Sequence, residues 1–254
     1  MTTGSRPPDM VGKALSLLTL LGEYPYGVGA SELARRLGLP LSTAHRLLGA
    51  LSRDGYTTFD QDTKRYSLGL RVFQLAQSVG HARGFIGMTR SILEQVSVDT
   101  REATLLAVLD GERLLYVHSI AGPQQVSVVG HPGGHGPLHC TSLGKVLVAF
   151  AAPDMREQLA QNLPLEQLAP HSITDRKRFR DEIELVCSHG YATADEEHEA
   201  GIRAISVPVF GNGNAVAAVS TAAPAYRVSL EQLVEHRATL NEAAKSLAAV
   251  MPHH

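Results

Sequence analysis

The stretch SELARRLGLPLSTAHRLLGALSRDGY, residues 31–56, reads as two short helices joined by a tight turn. Ser31 to Leu37 has helical spacing, with Leu33, Ala34 and Leu37 inward, Arg35 and Arg36 outward, and Gly38 as its stop. Leu39-Pro40-Leu41 breaks the pattern. Ser42 and Thr43 then stand where helix-starting hydroxyls are favoured, and the run continues to the terminating pair Asp54-Gly55. At about 100° per residue, Ala44, Leu47, Leu48 and Leu51 share one side of this second helix, while Ser42, Arg46, Gly49 and Arg53 lie opposite. Outward from this pair, Val11 to Leu21 predicts an earlier helix that ends at Gly22. Downstream, Tyr56–Phe59, the turn Asp60-Gln61-Asp62 and Lys64–Leu68 predict a hairpin.

That polar face is narrow and includes small residues, so it can enter a DNA major groove. Arg46 reaches far enough to meet a guanine edge, Ser42 and Thr43 at the positive helix end suit phosphate, and Gly49 leaves the approach clear. Arg53, at the helix end, suits a phosphate better than a base. His45 lies at the margin of the face, where packing is an equal alternative. Ser31, at the start of the first helix, and Lys64 and Arg65, on the hairpin wing, complete the candidate DNA contacts.

A chain of 254 residues suits two domains. Its 44% hydrophobic and 19% charged residues fit packed cores, and no apolar run is long enough to span a membrane. MTTGSRPPDM at the start carries no secretory pattern, so a cytoplasmic location is expected. Cys140 and Cys187, without CxxC spacing, argue against a disulfide framework or a cysteine-rich zinc site. The net charge of -2 hides an asymmetry. Residues 1–83 hold 10 Lys and Arg against 6 Asp and Glu, whereas the remainder holds 13 against 19. A basic reading segment joined to an acidic second domain fits this split, although solvated faces alone can also produce it.

Residues 31–56 followed by RYSLGLRVFQLA at 65–76 resemble the winged helix-turn-helix of IclR-type bacterial transcriptional regulators. Two further blocks resemble the family's effector-domain signatures in order and spacing. These are GPLHCTSLGKVLVAF at 136–150, and HGYATADEEHEAGIRAISVPVF at 189–210 with AVAAVSTAAP at 215–224. The resemblance implies an α+β protein: a winged helix-turn-helix over residues 1–68, a linker over 69–83 with a helix from Leu70 to Val79, and a GAF-like effector and oligomerisation domain over 84–254. That last domain would be an antiparallel sheet with flanking helices. The residues agree with such a domain: three strands between Thr104 and Val129, a Gly- and His-rich loop at 130–136, and helices at Ser142–Phe150, Asp175–Ser188 and Leu230–Val250. Strands at Ala204–Phe210 and Ala215–Thr221 flank the turn at 211–214.

The family's effector cavity, carried over by resemblance, has Cys140, Thr141, Ser142, Leu143 and Gly144 as one wall, with Asp195, Ala204, Ser220 and Ala222 in or beside it. Thr141 and Ser142 precede a helix whose free N–H groups favour a carboxylate. Ala222 stands where members recognising small keto acids commonly carry serine, and Ala204 where cysteine is frequent. A roomier, more apolar cavity follows, suited to a larger or aromatic organic acid. Leu41 stands where many relatives carry a polar or basic residue, so no operator sequence transfers from them. The implied partners are double-stranded operator DNA, a small-molecule effector, and further copies of the chain as a homodimer or, by the family's pairing of dimers, a tetramer. No cofactor or metal is implied.

Two other classes remain to be weighed against this. An enzyme or metal site is suggested by twelve histidines and by Asp195–Glu199, with His131, His135, His139 and His198 as the residues to suspect. Yet no HExxH spacing occurs, and neighbouring acids cannot all face one ion. Catalysis by Cys140 or Cys187 would need a base within reach, which adjacency to His139 or His189 does not establish. A protein-interaction module would explain the acidic second domain but not the helix and wing.

Overall fold

The computed structural model describes residues 9–72, 74–75 and 87–251. The chain divides into two compact units, Met1–Ala82 and Arg83–His254. In the first, helices α1 (Met10–Leu21), α2 (Ala30–Arg36) and α3 (Leu41–Arg53) precede strands β1 (Thr57–Asp60) and β2 (Arg65–Leu68). Their apolar faces meet around Leu17, Leu21, Leu33 and Leu48, all essentially buried.

Helix α3 begins earlier than its hydroxyls predict. Pro40, with φ already at -57°, occupies the N-cap and makes no side-chain bond, so Ser42 and Thr43 lie inside the first turn and cap nothing. The first strand likewise starts at Thr57, not Tyr56. Its buried hydroxyl donates to the Leu48 carbonyl at 3.3 Å and ties the wing to α3. Between the strands, the Asp60 carboxylate accepts from the N–H groups of Asp62 and Thr63, and Lys64 takes a left-handed φ of 56°. Val28 adds a bridge the sequence pattern did not suggest: it exchanges two backbone bonds with Tyr66, at 2.9 and 2.8 Å. Of the expected linker helix, residues 70–72, 74 and 75 are helical, and the remainder lies outside the described residues.

The second unit is a six-stranded antiparallel sheet with helices on both faces. In chain order its elements are α4 (Gly87–Thr100), β3 (Ala103–Asp110), β4 (Arg113–Ile120), β5 (His135–Gly136), α5 (Ser142–Ala149), α6 (Pro153–Asn162), α7 (Arg176–His189), β6 (Ala192–Asp195), β7 (Ile202–Gly211), β8 (Asn214–Pro224), α8 (Leu230–Glu235) and α9 (Arg237–Val250). The strands run in the order β5-β4-β3-β8-β7-β6. One core joins the sheet to α5 and α7 through Leu105, Leu147, Phe179 and Ile183. The other joins it to α4 and α9 through Leu93, Leu106, Val207 and Leu240.

Several expectations change here. The third strand expected before Val129 does not form. Its polar contacts are side-chain ones: Gly122 N–H donates to Ser127 Oγ and Gly130 N–H to Ser119 Oγ, while the edge of β4 pairs with His135 and Gly136. The single helix expected over Leu230–Val250 is two helices that meet at His236. Helices α4 and α6 and strand β6 were not anticipated.

All eight residues of α5 are buried, so this helix tolerates no added volume. A Cβ on Gly144 would lie 2.4 Å from both the Cα and the carbonyl oxygen of Leu138. Gly144→Ala is therefore expected to destabilise the second unit by about 3 kcal/mol, read from urea midpoints, because backbone has to move. An unchanged midpoint would mean that α5 does not pack this closely.

Candidate functional site

In the first unit the polar face of α3 is open: Ser42, His45, Arg46, Gly49 and Arg53 are exposed, whereas Ala44 and Leu48 are fully buried. Ser31, Lys64 and Arg65 are exposed as well. Two arginines already have intramolecular contacts. Arg46 approaches the Met10 sulfur at 3.7 Å, and Arg65 reaches the Gly27 carbonyl at 3.4 Å. His45 stands edge-on to Tyr66, with ring centres 6.5 Å apart. Thus α3 and the wing present hydroxyls, imidazole and guanidinium groups outward from one small body.

In the second unit a cavity of about 360 Å³ lies between the sheet and the start of α5. It exists because most sheet positions beneath α5, Leu105 apart, are small. Ala204 pairs with Ala222 and Ser206 with Ser220, and Ala222 faces Ala103 on the other side. The opposite sheet face carries Leu106, Ile205, Val207 and Val219 and is tightly filled. Seven of the predicted residues are brought together around the cavity: Cys140, Thr141, Ser142, Leu143, Ala204, Ser220 and Ala222. Two are not. Gly144 faces the Leu138 backbone. Asp195 is displaced by strand alternation: its neighbour Ala194 lines the cavity, and its own carboxylate binds Arg203 Nε at 2.5 Å.

The rest of the lining was not assigned to the cavity beforehand. Leu105, Tyr116, Val128 and Ile202 supply apolar surface, and His131, His135, His198 and Glu199 add polar groups. Period-two alternation from Ala204 would have pointed to Ile202. The residues contributed by β4 and the 128–135 segment carry no such local signal.

Thr141 caps α5: its oxygen accepts from Gly144 N–H at 3.0 Å, and its proton goes to the Pro137 carbonyl at 2.8 Å. Ser142 meets Ser206 at 2.7 Å and Ser220 at 3.5 Å. The Cys140 thiol is pushed up to about 12, first by burial and then by the Glu197 carboxylate, so it is a neutral lining group and no nucleophile. Burial also raises the Tyr116 phenol. One turn into α5, the ammonium of Lys145, 1% exposed, binds Glu182 at 2.8 Å and Glu197 at 2.9 Å. Among the described residues, no group of three or more His, Cys, Asp or Glu could hold a metal ion. Two of the four suspected histidines have other partners: His139 bonds the Glu166 carbonyl and His135 the Asp110 carboxylate.

The family model for the bacterial transcriptional regulator IclR C-terminal domain matches residues 77–249, and that for the IclR helix-turn-helix domain matches residues 10–61. The chain belongs to the IclR family. It is similar to the HTH-type transcriptional regulator KdgR of Escherichia coli strain K12, 30% identical over 98% of this chain and 96% of the relative. Among solved structures, an IclR homologue from Microbacterium hydrocarbonoxydans complexed with 4-hydroxybenzoate is 28% identical with a TM-score of 0.81, covering 95% of this chain and 98% of the other. An IclR regulator from Alicyclobacillus acidocaldarius is 25% identical with a TM-score of 0.82, over 94% and 97%. As an IclR-family member the chain is a transcriptional regulator with a DNA-binding helix-turn-helix and a C-terminal effector domain, and its named relatives are regulators and repressors, not enzymes. No helix among the described residues is long and apolar enough to cross a membrane.

Burial holds the imidazole of His198 below its ordinary range, outweighing the upward pull of Glu199. The unfolded chain therefore takes up this proton first. The neutral form's contribution is present above about pH 6.5 and is lost as pH falls towards the depressed folded value. His198→Gln should lose less stability than wild type when urea midpoints at pH 7.5 and 5.5 are compared. Equal losses in both proteins would remove His198 from the linkage.

Proposed function

We propose that the protein regulates a catabolic operon by binding its operator as a homodimer or tetramer, and that a small organic carboxylate, larger or aromatic, acts from the second-unit cavity. The observation that carries this reading is the 360 Å³ cavity, bounded on one side by the start of α5 and elsewhere by apolar side chains together with three histidines, Glu199 and Ser220. The first N–H groups of a helix lack intrahelical acceptors and carry its positive end, a natural seat for an anion. Around that seat, alanines at 204 and 222 leave space for a body bigger than a two- or three-carbon acid. The 4-hydroxybenzoate complex of the Microbacterium relative supports an aromatic acid. On this reading residues 1–68 read DNA, 69–83 link, and 84–254 bind effector and partner copies. Two α3 helices would then enter successive major grooves, giving a palindromic operator with helical-turn spacing. An effector alters DNA affinity only by binding one quaternary arrangement better than another.

Mobility shifts on upstream DNA, with and without a panel of keto and aromatic acids, test this directly. Tight binding of the smallest acids alone would overturn the larger-acid reading. On the DNA side, Arg46→Ala should cost about 1–3 kcal/mol and relax preference at one base position. Lys64→Ala should weaken binding to all sequences alike and lower the salt slope by about one. Equal losses from Arg46→Ala on operator and random DNA would deny it a base contact.

A further inference from the structure

One hydroxyl at the cavity's polar end does not line the cavity itself. Ser206 is completely buried on β7, and its Oγ lies 2.7 Å from Oγ of Ser142, which does line the cavity. Ser220, the third member of the group, donates its proton to the Ile205 carbonyl at 2.9 Å and stands 3.5 Å from Ser142. Each hydroxyl has one proton, so the direction of the short contact decides what the cavity sees. If Ser142 were the donor, the proton of Ser206 would be enclosed without an acceptor among the described residues, a costly arrangement. In the reverse direction nothing is stranded. Ser206 donates, and Ser142 keeps its own proton; the Ser220 oxygen is an acceptor only at the 3.5 Å limit, so a closer acceptor in the cavity, water or a ligand, can take it.

We propose that Ser206 is a positioning residue that donates to Ser142 and so fixes Ser142 as a hydrogen-bond donor into the cavity, selecting a carboxylate over the corresponding primary amide. The backbone groups at the start of α5 agree in sign, against the Glu199 carboxylate that also lines the cavity. The N–H groups of Ser142 and Leu143, at the first two positions of α5, have no intrahelical acceptors. Thr141 cannot offer a competing acceptor as readily, because its oxygen already receives Gly144 N–H and its proton is committed to Pro137. An end that presents donors meets both oxygens of a carboxylate but sets donor against donor at an amide NH2. The ligand half of this inference rests on the carboxylate effector proposed above, whereas the hydroxyl direction does not.

A ligand-free double-mutant cycle tests the direction. Ser142→Ala strands the Ser206 proton and should lower the melting midpoint by roughly 3–6 °C. Ser206→Ala leaves Ser142 facing the cavity and should cost less, and Ser142→Ala/Ser206→Ala should recover stability relative to Ser142→Ala. Should Ser142→Ala fail to fold while the double variant folds, the same conclusion follows more strongly. Calorimetric titration with benzoate and benzamide, and with pyruvate and pyruvamide, tests the selection. Wild type should prefer the better-bound acid over its amide by about tenfold or more, and Ser206→Ala should shrink that ratio as Ser142 becomes free to rotate. If Ser206→Ala costs as much as Ser142→Ala and the double variant recovers nothing, the hydroxyl direction is overturned and the carboxylate reading stands. If the amides bind wild type as tightly as the acids, or no acid binds, the carboxylate reading and the selection both fall, and the cycle alone decides the direction.

Discussion

An ammonium group in a helix with no exposed residue constrains much of the second unit. Lys145 is 1% exposed, and a buried cation persists only when paired and fully hydrogen-bonded. Its partners come from two different places, Glu182 on α7 and Glu197 in the segment between β6 and β7. Burial lifts the Glu197 carboxyl above its usual range, and the pull of Lys145 only partly opposes this. Helix α5 therefore cannot slide or turn without breaking charge pairs in a poorly solvated place. The residues just before and at its start, Cys140–Leu143, form one wall of the cavity, and His198 and Glu199, next to Glu197, belong to another. A single ion cluster thus sets the spacing between two walls that come from distant parts of the chain.

The cavity itself is a matter of missing volume. Strands β3, β7 and β8 are apolar on both faces, as a sheet covered twice must be, but the two faces differ in size. Towards α4 and α9 they present Leu106, Ile205, Val207 and Val219 with Ala217 and Ala223; towards α5 they present Leu105 among Ala103, Ala204, Ala218, Ala222, Ser206 and Ser220. Large side chains on the second face would have closed the space and pushed α5 away. Small ones let Gly144 approach the Leu138 backbone and still leave room beside the helix start. Close packing at one end of α5 and a void at the other are two results of the same choice.

How far the sequence could be read follows from the range of the interactions involved. The polar and apolar sides of α3 were legible because helical periodicity is local, and Ala44, Leu48, Ser42 and Arg46 lie as the wheel placed them. Its start was misread by a residue or two because Pro40 supplies a preset φ in place of a hydroxyl cap. The antiparallel sheet was legible in outline. The segment before Val129 failed as a strand because its polar contacts go to Ser119 and Ser127 side chains, which β-propensity does not register. In the cavity, motif resemblance located seven lining residues; Asp195, expected in or beside it, adjoins the lining residue Ala194 and faces the other way along the strand. The Lys145 cluster was invisible: its carboxylates lie 37 and 52 residues away, and nothing in a linear pattern couples them.

A different device holds the first unit's reading surface together. A helix and a wing can meet one DNA duplex only if their separation is fixed, and a two-stranded hairpin is at best marginally stable by itself. Tyr66 supplies the missing support. Its backbone accepts Val28 as a third strand position, its ring packs on Phe59 at 4.6 Å, and the same ring meets His45 of α3 edge-on. With 8% of its surface exposed, Tyr66 belongs to the core that also holds Leu48. The wing is therefore anchored to α3 through the Tyr66 ring and the Thr57 hydroxyl, and to the segment before α2 through one pair of backbone bonds, while Lys64 at its tip is exposed. His45 shares its surface between this anchor and solvent, so its role in holding the geometry is independent of any contact it makes with DNA.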